Sequence, residues 1–340
     1  MTRGNVLAVL AALILVAAGC ARPSTLELEG RAMGSTYHVR LAGAGLSGAE
    51  RDRLHAEIED RLRGLEGLLS LYDPASELSR FNASRSLEPF PVSVDTLALA
   101  RAALRLSRDS GGAFDPTVAP LVDLWGFGPS GRKGPPAPGR LAAALRLVGA
   151  RHVRLREEPP ALVKDSPGVR LDLNSIADGY AADAVARLLE ARGLRDFMVE
   201  VCGEVVARGR NARGKPWRIA IDLPSETSAP GRAFSGVVAL DAAALSTSGS
   251  YRRFFRKGGR RYSHIIDPRT GRPVSHALAS VSVTAPACAE ADGASTAAMV
   301  LGPEDGLRWL KEKGYPAMLI TAREDGTFET VRTPGFPSGR

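Results

Sequence analysis

Asp292 and Thr296 stand four residues apart in a stretch, 290–301, that reads as a helix, so their side chains share one face. A carboxylate beside a hydroxyl is a pair of hard oxygen ligands, suited to Mg2+ or Ca2+ rather than Zn2+. Ser295, three residues after Asp292, borders that face. The same residues also fit a polar helix start in which Asp292 favours the helix dipole. His264 closes a predicted strand beside a turn, near Asp267 and a dense basic run. A neutral imidazole there can take a proton from an attacking hydroxyl, or it can be a histidine satisfied by packing and one hydrogen bond. In the stretch 169–173, Val169, Leu171 and Leu173 alternate with Arg170 and Asp172, the period of a half-buried strand. Asn174 or Ser175 then supplies a helix N-cap, and Ser175 with Asp178 has capping-box spacing. The free N–H groups of such a helix start form an anion site. Asp172 and Asp178 bracket it with carboxylates, which beside a phosphate imply a divalent cation. An ordinary strand–turn–helix unit with solvated acids has the same pattern. Arg252, Arg253, Arg256, Lys257, Arg260 and Arg261 crowd around Gly258 and Gly259. They could neutralise phosphates or blunt the edge of a strand pair. His38, His55, His152 and His276 have no paired spacing and no Cys/His cluster exists, so no zinc site is expected. No P-loop or dinucleotide-binding glycine motif opens a helix.

The elements that must position these residues can be read in order. A strand pair over 26–41 precedes a helix over 49–71 whose apolar face is Leu54, Ile58, Leu62, Leu65 and Leu69. Ser76 caps a short helical piece, and a second amphipathic helix runs over 94–110 to Gly111 and Gly112. A helix over 120–125 is broken at 126–128, the loop 131–139 holds three prolines, and a helix over 140–148 follows. The central helix ends where Gly193 provides a left-handed cap. Strands are expected at 197–201, 217–222, 236–240 and 279–284, with a basic hairpin between the last two. Helices at 290–301 and 305–313 and two short strands finish the chain. Helices and strands do not alternate regularly, which favours α+β over a doubly wound sheet.

A chain of 340 residues that is 44% hydrophobic and 24% charged can build one large or two modest packed domains. The net charge of +8 suits anionic small molecules, a membrane surface or nucleic acid. Aromatic residues are only 6% and do not interleave with the basic ones, which argues against nucleic acid. Arg3 followed by an apolar run over 6–18 has the form of a signal segment, too short to be a stable membrane span. The run ends in small residues leading into Cys20, which resembles a bacterial lipobox; a plain secretory signal with a chance cysteine reads similarly. The lipobox reading implies 1–19 as signal peptide, Cys20 as the lipidated residue, a tether over 20–25, and anchoring in the cell envelope facing the periplasm. Cys202 and Cys288 then remain, either as a disulfide or as buried free thiols.

Seven motifs in order resemble one family: MGSTY at 33–37, LYDPASELSRFN at 71–82, GGAFDPT at 111–117, LDLNSIADGYAAD at 171–183, ALSTSGSY at 244–251, HIIDPRTGRP at 264–273 and ADGASTAAMVLG at 291–302. They are similar to those of the bacterial FAD:protein FMN transferases, the ApbE family. The resemblance covers the chain after the lipobox and implies one transferase domain over 26–335. It implies an α+β fold with mixed or antiparallel sheets packed with helices, and two subdomains around a flavin cleft. The implied activity uses FAD and Mg2+, passes FMN to a Ser or Thr hydroxyl of an exported redox partner, and releases AMP. Reactions that keep the fold but stop at hydrolysis of FAD to FMN and AMP, or at flavin binding alone, are the alternatives. By resemblance, Asp292, Thr296 and the Ala177 carbonyl hold Mg2+, with Ser295 where some members have a second acid. His264 matches the general base. Met33, Tyr72, Ala113, Phe114, Asp115, Asn174, Tyr180 and Ile266 match flavin or adenosine contacts. Asp178 stands where Lys or Glu is commoner. The stretch 292–298 begins like the acceptor motif Asp-Gly-x-Ser/Thr-Gly-Ala-Thr but lacks its final Thr.

Overall fold

A computed structural model describes residues 25–129, 131, 134–225 and 231–338. The expected leader and Cys20 lie outside these residues. The chain opens with the antiparallel pair β1 (Thr25–Ala32) and β2 (Ser35–Ala42). Helix α1 (Gly48–Leu69) begins at a capping box in which Ser47 and Glu50 satisfy each other's backbone N–H. Its stripe of Leu54, Ile58, Leu62, Leu65 and Leu69 is fully buried, and truncating any one to Ala would cost about 2–5 kcal/mol. Then come α2 (Glu77–Ala83), β3 (Phe90–Pro91), α3 (Val94–Asp109), α4 (Ala119–Trp125) and α5 (Pro138–Leu145). Strands β4 (Val153–Arg156) and β5 (Ala161–Lys164) form a small antiparallel sheet with β3.

Helix α6 (Asn174–Ala191) leads into β6 (Phe197–Val201) and β7 (Glu204–Arg208). A hairpin of β8 (Trp217–Asp222) and β9 (Phe234–Leu240) precedes β10 (Ala244–Gly249). Two short ladders follow, β11 (Phe254–Lys257) with β12 (Arg260–Ser263), and β13 (Ile266–Asp267) with β14 (Arg272–Pro273). The chain closes with β15 (Leu278–Ala285), α7 (Cys288–Leu301), α8 (Pro303–Glu312), β16 (Ala317–Ala322) and β17 (Phe328–Arg332).

The main sheet has eight strands in the order β1-β2-β6-β7-β10-β15-β16-β17, and every neighbouring pair is antiparallel. Period-two alternation sorts its side chains. Phe197, Val199 and Val201 of β6 pack under α1 and α6, while Met198 faces the other way. On that other face Val205, Ala207, Met318 and Ile320 meet Trp217, Ile221, Val238 and Leu240 of the β8–β9 hairpin. The helices therefore cover one face and the hairpin the other, in the expected α+β architecture.

Helix α7 is buried nearly all round, and small residues make that possible. A Cβ on Gly179 of α6 would come within 2.6 Å of the Cys288 carbonyl oxygen, and one on Gly293 within 2.3 Å of Leu106. The glycines let α6 and α7 approach closely enough for Gly179 N–H to donate to Asp292 Oδ2 at 3.2 Å.

Two local expectations are corrected. The 169–173 stretch is not a strand of any sheet. Leu171, Asp172 and Leu173 are all buried, and side chains take the place of a neighbouring strand. Asn82 accepts from Leu171 N–H at 2.7 Å and donates to its carbonyl at 2.8 Å; Lys164 Nζ donates to Val169 O at 3.3 Å. The helix also starts at Asn174 with Leu173 in the N-cap position, so no capping box forms between Ser175 and Asp178. Asp172 Oδ1 instead accepts from Asn174 N–H at 3.0 Å. The cysteines answer the third open reading: Cys202 and Cys288 are both free thiols.

Candidate active site: an acid-floored cleft

A cleft of about 390 Å³ opens where α6, α7, β10 and the 264–268 turn converge. Its floor takes Asp172, Asn174, Ser175 and Asp178 from the start of α6, Ser248 from β10, and Asp292 and Thr296 from α7. Ala113, Phe114 and Asp115 form one wall, and Tyr72, 64% exposed, stands at the edge. Arg252, Arg253, His264 and Ile266 complete the lining. The structure thus brings His264, Tyr72, Ala113, Phe114, Asp115, Asn174, Ile266, Asp292 and Thr296 to one cavity.

The floor is rich in buried acid. Burial pushes the Asp178 carboxyl up to about 6 and Glu204, behind it at the head of β7, to about 8. Asp292 is held well above the ordinary carboxylate range, first by burial and then by the negative charges of Glu204 and Asp178. Such mutual repulsion in a low-dielectric site is what a bound cation would relieve. Glu204 Oε2 is buried without a hydrogen-bond partner. The described residues hold no group of three or more His, Cys, Asp or Glu that could seat a metal unaided. The available oxygens, the Asp292 carboxylate and Thr296 hydroxyl, fill only part of an octahedral sphere, which suits Mg2+ shared with a substrate's phosphates.

Beneath these two side chains runs a chain of hydroxyls. Ser248 Oγ lies 3.1 Å from Thr296 Oγ1 and 2.7 Å from Ser295 Oγ, which is 3.3 Å from Ser246 Oγ. Ser295 also donates to the Asp292 carbonyl at 2.9 Å. It is fully buried and absent from the cleft lining, so its hydroxyl supports the helix that carries Asp292 and Thr296 rather than facing the cavity. Alternation along β10 puts Ser246 and Ser248 on one face, a sequence signal for this network that the ALSTSGSY motif already contained. Nothing in the sequence marked Glu204.

His264 Nδ1 sits 2.9 Å from the Arg253 carbonyl oxygen. A carbonyl only accepts, so Nδ1 carries the proton and Nε2 keeps its lone pair. Burial, then the nearby Arg253 guanidinium, lowers this histidine to about 4, so it is neutral at physiological pH. Neutrality and a fixed tautomer are the two requirements of a base.

Three implied contacts stand apart from the cleft lining. Tyr180 follows Asp178 by two residues, about 200° around α6, and therefore faces away. Its hydroxyl donates to Asp95 Oδ1 at 2.7 Å, and Asp95 also receives Arg61 through both oxygens. The Arg187 guanidinium lies 5.2 Å over the Tyr180 ring. Met33 occupies the β1–β2 turn with φ of 54° and packs against two core clusters. The Ala177 side chain is buried in the core. Asp115 reaches the cleft but spends its carboxylate as a brace, accepting from Ser107 Oγ, Thr117 N–H and Oγ1, and Ala150 N–H.

Comparison with known proteins places these features in a family context. The profile of the ApbE family matches residues 33–319. The FAD:protein FMN transferase of Salmonella typhimurium is 40% identical over 321 residues, covering 93% of this chain and 89% of that protein. The Vibrio cholerae protein of the same description is 40% identical, over 95% of each. Among solved structures, the flavin transferase ApbE from Vibrio cholerae superposes with a TM-score of 0.83 at 38% identity, covering 92% of this chain and 98% of that one. The apo form of the Pseudomonas stutzeri flavinyl transferase ApbE gives 0.83 at 41% identity, with 92% and 96% covered.

Proposed function

The chain belongs to the ApbE family and carries out FAD:protein FMN transfer, and we propose how its cleft does so. FAD is the substrate, with its diphosphate lying over the α6 start and α7. The acceptor is a Ser or Thr hydroxyl of a partner protein. His264 Nε2 takes the hydroxyl proton as the oxygen attacks the FMN phosphorus. The bond from that phosphorus to the bridging oxygen breaks, AMP departs with the oxygen, and a phosphodiester joins FMN to the protein. Catalysis of this kind depends on positioning and charge neutralisation more than on covalent participation.

Asp292, Thr296 and the Ala177 carbonyl are the groups that would hold Mg2+. When bound, the ion supplies charge neutralisation for the diphosphate. Ser248 fixes the Thr296 hydroxyl, Asp172 fixes the first N–H of α6, and Arg253 fixes the imidazole. The leader's composition supports a lipid anchor at Cys20 and a site of action in the periplasm, on exported redox proteins.

The observation that carries the reading is that a neutral histidine with an oriented lone pair opens onto the same cleft as the Asp292–Thr296 pair. The test is incubation with FAD, Mg2+ and a Thr-containing acceptor peptide. Mass spectrometry should find one FMN added per peptide, with AMP released only when peptide is present. AMP released equally without peptide would make the protein a pyrophosphatase instead.

A further inference from the structure

The residues 252–261 include five arginines and one lysine, and no Asp or Glu occurs anywhere from 242 to 266. Most of this run folds as the β11–β12 ladder, in which Arg256 lies opposite Arg261 and Lys257 opposite Arg260. Like charges directly across a strand pair destabilise it by roughly 0.2–1 kcal/mol per pair, so this is not the arrangement a fold would choose for its own sake. Aromatic packing holds the ladder in place despite that. Phe255 stacks on Tyr262 at 5.0 Å, Phe127 lies 5.4 Å from Phe255, and Trp125 of α4 lies 5.6 Å from Tyr262. On the opposite face, the Arg261 and Arg256 guanidiniums cover the Phe254 ring at 4.5 and 5.3 Å. Arg252 pairs with Asp222, and Arg261 donates to the Ser250 carbonyl.

The position of the ladder gives this charge its meaning. Arg252 and Arg253, at its root, line the cleft, and β12 runs through Ser263 directly into His264. The glycine tip lies five residues before His264, within about 17 Å along an extended strand. A protein that brings a hydroxyl to His264 must therefore lie against this hairpin. An excess of cations at such a place speeds encounter with an acidic surface and repels a basic one.

We propose that the β11–β12 hairpin is the docking surface for the acceptor protein and receives an acidic segment flanking the modified Ser or Thr. This rests on His264 being the base that serves the acceptor hydroxyl. The cations of the tip, Lys257 and Arg260, set the preference for acidic flanks, and Arg253 carries it to the cleft mouth.

The test uses two synthetic peptides with one Thr, the last residue of an Asp-Gly-x-Ser-Gly-Ala-Thr core, flanked by four glutamates in one and four glycines in the other. With FAD and Mg2+ at low salt, kcat/KM should favour the glutamate-flanked peptide by about tenfold, mostly through KM. The preference should collapse at 0.5 M salt, where charges are screened within about 3–5 Å. It should also collapse in the Lys257→Glu/Arg260→Glu variant, and fall partway in Lys257→Gln/Arg260→Gln, while flavin fluorescence reports unchanged FAD affinity. Equal rates on the two peptides would overturn the proposal, as would a preference that survives salt or the charge reversal. Equal peptide rates with hairpin-dependent binding to anionic vesicles would assign the surface to lipid instead. Modification of neither peptide, with FAD still bound and AMP still formed, would remove the transfer reading and the docking surface with it.

Discussion

The floor and the rim of this cleft carry opposite charge. The floor gathers Asp172, Asp178 and Asp292 with Glu204 behind them, all but Asp178 deeply buried, and the charges that act on Asp292 are those of other acids. The rim gathers six cations in a run with no acid. Ordinary fold stability would have mixed the two sets, since buried like charges repel strongly and exposed pairs cost little. Their separation fits the two visitors proposed above: a cation with an anionic dinucleotide at the floor, and an acidic protein at the rim. The contrast also explains why one region is buried and the other open. A small ion is attracted more strongly to acids in a low-dielectric floor, whereas a protein partner needs an accessible face.

The largest expected effect breaks the floor. Asp292→Ala should lower FMN transfer by about a thousandfold or more, as expected when several kcal/mol of charge stabilisation are lost. Titration calorimetry with Mg2+ should show the binding lost with it. In the absence of metal the same variant should melt no lower than the parent, because it removes a repelled charge, and a clear drop would count against the cation seat. Next is His264→Ala, which should slow transfer by about 10²–10⁴-fold. FAD affinity by flavin fluorescence should persist, which separates base from binding contact; undiminished transfer would reject the role.

The pH dependence sharpens the same contrast. Asp178 and Glu204 hold protons in the folded state up to about 6 and 8, above their ordinary 3.8 and 4.5. The folded protein therefore binds more protons than the unfolded chain across this window, and these two groups make stability fall as pH rises through it. His264 acts oppositely. Its value of about 4 lies below the ordinary 6.5, so it costs stability as pH falls between those values. Metal-free melting temperature should consequently decline from pH 6 to 8.5, and Glu204→Gln should flatten that decline; a decline of the same slope would contradict the assignment. The smallest effect concerns the hydroxyl chain. Ser248→Ala should weaken Mg2+ binding by about tenfold with FAD affinity and melting temperature nearly unchanged, the measure being Mg2+ titration of the two proteins side by side.

How much of this was readable beforehand differs from element to element. The stripe on α1 gave that helix nearly to its ends, because burial on one face imposes a period that sequence displays directly. The Asp292–Thr296 pair and His264 were legible for a similar reason: helical spacing and a strand end are local. Tyr180 shows the limit. Its motif resembled a flavin contact, yet two residues of helix turn it to Asp95 and Arg187, and only the packing of α6 on α3 and α7 decides that orientation.

What the chain's order of residues determined by itself was therefore the set of elements, the family and the short-range pairs, all fixed by interactions spanning a turn or two. What only the tertiary structure decided was which distant groups share a space. The closeness of Glu204 to Asp292, the hydroxyl chain from Ser246 to Thr296, and the turning of Ser295 away from the cleft depend on β7, β10 and α7 meeting. They meet because glycines and alanines let backbones approach, and that approach is a property of two surfaces together, which no single stretch of sequence contains.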